Sequence, residues 1–90
     1  MYDWSDEKDA LLRRERGIGF QEVVFHIEQG DLMAITDHPN PSKYPEQKIV
    51  FVKIDDYIYM VPFVESQETL FLKTIIPSRK ATKQYLEKKE

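Results

Sequence analysis

The sequence predicts an α+β domain with helices packed on one face of an antiparallel β-sheet. Three observations carry that expectation. Two β-rich runs, KIVFVKI and YIYMVPFVE, are separated only by Asp55 and Asp56, as in a tight hairpin. Phe20, Val23, Val24 and Ile27 fall at the i, i+3, i+4, i+7 spacing of an amphipathic helix. Helix-start signals at Ser5 and Ser78 bracket the β-rich centre.

The elements follow in order. Met1–Trp4 (MYDW) reads as a short first strand. Residues 6–16 read as a helix. Ser5 is its N-cap, and Asp6 and Glu7 suit the positive end of the dipole. Ala10, Leu11 and Leu12 form the apolar side, Arg13, Arg14 and Arg16 sit in the last turn, and Gly17 is the C′ residue. The second helix begins near Phe20 and ends at Gly30. Phe25 and His26 lie off its stripe, and Phe25 is read as a singly exposed apolar residue rather than a partner surface. LMAIT (32–36) reads as a strand, and DHPNPSKYPEQ, with three prolines, as a loop. The hairpin follows. Pro62 cannot donate to a ladder and is expected at an edge-facing position or a bulge. TLFLKTII reads as a further strand, and residues 79–89 as a helix capped by Ser78, with Ala81 and Tyr85 inward. The expected order is β-α-α-β-β-β-β-α.

Ninety residues suit one domain, 1–90. No apolar run approaches the ~20 residues that cross a bilayer, and the acidic N-terminus does not read as a secretory signal, so the expected compartment is the cytoplasm. The absence of cysteine excludes disulfides and thiolate chemistry. His26 and His38 show no ligand spacing, so no metal and no cofactor is expected. No Gly-rich phosphate loop precedes a helix.

Charge is unevenly spread. The net charge of −3 comprises −4 over residues 1–31, −3 over 32–68 and +4 over 69–90. Bulk attraction to nucleic acid is therefore weak, and any such binding must be local, at the basic last segment. A solvated helix face is the plainer account of that segment. Metal-free RNA cleavage, however, needs only an aligned 2′-hydroxyl, stabilised phosphorane charge and assisted proton transfer. Arg and Lys can meet the charge requirement, and Tyr can stack a base or position a hydroxyl.

Several segments resemble the BrnT toxins of bacterial toxin–antitoxin modules, within the wider RelE-like group of small ribonucleases. YDWSDEK is similar to the family's opening aromatic-Trp-Asp segment. RRERGIGFQEV resembles its Arg-Lys-His-Gly-Val-Ser-Phe segment, and PEQK its approach to the central hairpin. IIPSRKATKQY resembles the closing Ile-Ser-Ala-Arg-Lys-Ala-Thr segment, the most specific of the four. The resemblance implies a RelE/BrnT-like antiparallel sheet with packed helices and a metal-independent endoribonuclease. It also implies a cognate antitoxin encoded nearby, with operator DNA bound only through the complex. It assigns catalytic roles to Arg79, and to Lys48 and Arg16 in place of the family's Arg and His. His38, in the Pro-rich loop, is added on its own chemistry, as the one residue near that region suited to proton transfer. Lys80, Lys83, Tyr85 and Tyr59 are the expected RNA contacts. Glu15 stands where the family has Lys, and Pro77 where it has Ser. With the sequence pI of 5.4, these departures frame a second expectation: a catalytically degenerate binding module of the same fold that docks an acidic protein partner.

Overall fold

The computed structural model describes residues 1–86. The chain runs β1 (Tyr2–Trp4), α1 (Asp6–Arg16), α2 (Phe20–Glu28), β2 (Leu32–Asp37), β3 (Gln47–Ile54), β4 (Tyr57–Ser66), β5 (Thr69–Leu72), β6 (Ile76–Pro77) and α3 (Arg79–Leu86). Residues 87–89 of the expected last helix lie outside the described residues. No helix among the described residues is long and apolar enough to cross a membrane.

The helix ends form as the sequence expects. Ser5 Oγ accepts the Lys8 N–H at 3.1 Å. Gly17 closes α1 at φ 72°, its N–H bonded to the Arg13 carbonyl. One feature of the α1–α2 junction has no local sequence signal. Asp9 on α1 accepts the Phe20 N–H at 2.8 Å with Oδ1 and the Arg13 Nε–H at 2.9 Å with Oδ2, so α1 caps α2. Gly19 lies so close to this pair that a Cβ there would stand 2.8 Å from both Arg13 Nε and Asp9 Oδ1. The Gly19 N–H in turn bonds Glu22 Oε1 at 2.9 Å.

The sheet order is β1-β5-β4-β3-β2, with β6 also on β4. It is mixed rather than wholly antiparallel as expected, because β1 runs parallel to β5. The β3–β4 hairpin turns through Asp55 and Asp56, both at positive φ (53° and 64°), as a two-residue turn of this twist requires.

TLFLKTII is not one continuous strand. Leu72 faces Phe63 and Ile76 faces Met60, so the three residues Lys73, Thr74 and Ile75 oppose the two residues Val61 and Pro62. This is a bulge, placed opposite the proline. Pro62 turns its carbonyl toward this strand, accepting from Lys73 N–H at 2.8 Å. Its missing N–H therefore points at the interruption between β5 and β6, where no partner is needed.

The helices occupy both faces, not one. Strand alternation puts Val50, Val52 and Ile54 on the same face as Val61 and Phe63. That face forms the main core with Leu12, Ile18, Phe20, Val23, Leu72 and Ile75. Trp4 stacks on Phe20 at 5.7 Å between ring centres. On the opposite face, Tyr85 of α3 meets Phe51 at 5.9 Å, and Ile49 and Ile58 are buried. KIVFVKI is apolar on both faces because both are covered.

Candidate functional site

The segment Ile75–Arg79 is where distant parts of the chain meet. Arg16, in the last turn of α1, donates from Nη1 to the Ile75 carbonyl. Tyr59 lies opposite Pro77 in the β4–β6 ladder. The Ser78 N–H bonds the Ile58 carbonyl at 3.0 Å, and Arg79 then opens α3. The bulge opposite Pro62 shapes this place by turning Ile75 inward to full burial while its carbonyl is taken by Arg16.

The start of α3 is fixed by three hydroxyl contacts. Ser78 Oγ accepts the Ala81 N–H at 3.0 Å, as its capping role predicts. Thr82 is 4% exposed; its hydroxyl donates to the Ser78 carbonyl at 2.8 Å and accepts the Ile58 N–H at 2.8 Å. One buried hydroxyl thus ties the first turn of α3 to β4. Arg79, Lys80 and Lys83 stand exposed on this anchored helix.

Tyr59 is the half-buried group at this place. Burial pushes its phenol up, and the nearby charge of Asp55, then Tyr57 and Glu22, raises it further. Its ring packs edge-on to Tyr57 at 5.7 Å. The phenol therefore stays protonated, and able to donate a hydrogen bond, throughout the neutral range.

The structure does not bring all the expected residues here. Lys48 lies opposite Phe63, four ladder positions along β4 from Tyr59, which is about 13 Å along the sheet. It is paired instead with Asp37 at 3.5 Å. His38 is its neighbour: the His38 N–H bonds the Gln47 carbonyl, and the ring lies 4.4 Å from that of Tyr44. His38 Nδ1 accepts the Asn40 N–H, placing the proton of the neutral ring on Nε2. Lys48 and His38 share a hollow of about 270 Å³ beside the Pro-rich loop, with Asp37, Tyr44 and Glu46. They are not part of the Ile75–Arg79 cluster, because the β3 register fixes Lys48 at the strand end remote from α3. Tyr85 turns to Phe51 on the opposite face of the sheet, where it packs the helix down.

Of the expected residues, then, Arg16 reaches the Ile75 carbonyl, Tyr59 pairs with Pro77 in the ladder, and Arg79 opens the helix that follows, with Lys80 and Lys83 next along α3. Thr82 and the Ile75 carbonyl complete the arrangement; neither is signalled by its residue type. No family model, curated protein or solved structure matches the chain.

Proposed function

We propose that this chain is the toxin of a bacterial type II toxin–antitoxin pair, with a RelE/BrnT-like fold. Its activity is a metal-independent endoribonuclease that inhibits growth until a cognate antitoxin, encoded nearby, covers it. The observation that carries the reading is the Arg16–Ile75 contact, which draws a guanidinium from α1 to the segment that presents Arg79. Two cations from distant parts of the chain, in this reading, serve one place on a chain of net charge −3. In this reading Arg16 and Arg79 grip the scissile phosphate and stabilise charge on the phosphorane. The substrate's own 2′-hydroxyl gives its proton to water as its oxygen bonds to phosphorus, and the P–O5′ bond breaks with the departing 5′-oxygen taking a proton from water, which leaves a 2′,3′-cyclic phosphate and a 5′-hydroxyl. Tyr59, held protonated, donates a hydrogen bond to a phosphate oxygen or stacks on a base. Lys80 and Lys83 extend the electrostatic track for the RNA backbone.

Incubation of the purified protein with single-stranded RNA in EDTA tests the reading. Fragments ending in 2′,3′-cyclic phosphate and 5′-hydroxyl are expected; RNA left intact at high enzyme concentration overturns it.

A groove on the α3 face favours the second reading, a binding module that docks an acidic partner segment. Phe51, Met60, Ser78, Lys80, Ala81 and Gln84 line about 230 Å³, an apolar floor with a cation at its rim. Intact RNA, together with binding of an acidic amphipathic peptide that Lys80→Glu abolishes, would decide for it.

A further inference from the structure

We infer that β2 is an interface at which two copies of this chain pair edge to edge, antiparallel, about a two-fold axis through Ile35. His38 N–H bonds the Gln47 carbonyl, so alternation along the β2–β3 ladder turns the main-chain groups of Thr36 and Ala34 toward β3. Those of Ile35 and Asp37 face the other way, to the open side of β2, which no strand covers among the described residues.

The side chains on this edge are those of a strand that expects a neighbour. Ile35 is 54% exposed and Leu32 39%. Ile35 faces Val50 and Leu32 faces Val52, because the irregularity between Leu32 and Ala34 brings both onto the main-core face. They extend the apolar layer sideways, past β3, to an uncovered rim. Free edges are usually blunted by Lys, Pro or inward charge, and residues 32–36 contain none of these. The opposite edge, β1, is only Tyr2–Trp4 and carries Asp3.

Charge selects the occupant. The only ionised side chain on β2 is Asp37, and Lys48 already pairs with it. Residues 32–36 are uncharged, so the same run of a second copy meets no repulsion on this edge, and a charged foreign strand finds no counter-charge among them. Pairing Ile35 with Ile35 of the second copy exchanges two N–H···O bonds between outward-facing groups. It sets the two most exposed strand hydrophobes side by side on one face and places Ala34 opposite Thr36 and Met33 opposite Asp37. No like charges meet. A two-fold axis normal to the sheet keeps both main cores on the same side, so the apolar layer becomes continuous across the join. This inference is independent of the nuclease reading.

Sedimentation equilibrium at high micromolar concentration should give twice the chain mass of 10.7 kDa. Ile35→Lys places like charges opposite each other and should raise the dissociation constant by more than about tenfold. Because the chain has no cysteine, Ile35→Cys reports directly. Residues in such a pair have Cα atoms about 5.5 Å apart, within disulfide reach. Mild oxidation should yield a covalent dimer of Ile35→Cys far faster than of a Glu7→Cys control on α1. A wild-type monomer at high concentration, a dimer indifferent to Ile35→Lys, or crosslinking no faster than the control each overturns the inference. Should Ile35→Lys lose its circular-dichroism signature, the cysteine comparison decides alone.

Discussion

The Arg16 guanidinium donates to the main-chain carbonyl of Ile75, 59 residues away, joining the last turn of α1 to the bulge that precedes α3. The contact has two consequences that separate experimentally. Arg16→Ala removes a hydrogen bond from a partly buried carbonyl and should cost about 1 kcal/mol in urea unfolding. It should also weaken RNA cleavage by more than that loss explains, because phosphate charge stabilisation goes with it. Arg16→Lys should recover part of the cleavage but little of the stability, since Lys lacks the planar fork.

Asp9 gives a pH-dependent counterpart. Burial alone would raise its carboxyl, but the Phe20 N–H and the Arg13 guanidinium outweigh it and hold the group below its ordinary value. Stability from a depressed carboxylate is present above the unfolded value near 3.9 and lost as pH falls through the folded one. Asp9→Ala should therefore destabilise by about 1–2 kcal/mol at neutral pH. The gap to wild type should narrow below pH ~4, read as urea midpoints across the acid range.

Thr82→Val keeps the shape of a buried side chain and removes its hydroxyl. The Ile58 N–H then loses its acceptor beneath α3. A cost of about 1–3 kcal/mol is expected, with faster hydrogen exchange confined to α3 and the start of β4.

Much of the fold was legible in local signals. Ser5, Gly17 and Ser78 sit where their capping chemistry predicts, and Asp55–Asp56 makes the hairpin turn. What escaped depends on pairings between distant segments. The parallel β1–β5 contact has no residue-type signature. Pro62 announced an irregularity, and the bulge opposite it splits the following run, but only register shows which residues take up the slack. The second buried face was readable: Ile49, Val50, Phe51 and Val52 form an unbroken apolar run, the mark of a strand covered on both sides. At the candidate site, residue types were easier to read than their meeting places. Arg16 reaches the Ile75 carbonyl in the segment that leads into Arg79, whereas Lys48, equally basic, is carried to the far end by the register of β3.

Tyr59→Phe tests the phenol. Its raised value means that folding favours the protonated form, so the native state loses stability as pH climbs above the ordinary phenol value of 10 and toward the folded one. The variant should lack that alkaline loss, seen as a smaller drop in thermal midpoint between neutral and alkaline buffer. If the hydroxyl donates to the phosphate, cleavage at neutral pH should also fall by about tenfold or more while the fold is retained.

The most direct measurement compares Arg79→Ala and Lys48→Ala in the EDTA cleavage assay, with thermal midpoints recorded for both. Each removes an exposed cation, so each midpoint should stay close to wild type, within about 0.5 kcal/mol of stability. Arg79→Ala should lower cleavage by about a hundredfold or more, and Lys48→Ala should leave it within about threefold of wild type. Unimpaired cleavage by Arg79→Ala, or loss in Lys48→Ala alone, would contradict a phosphate site at the Ile75–Arg79 segment.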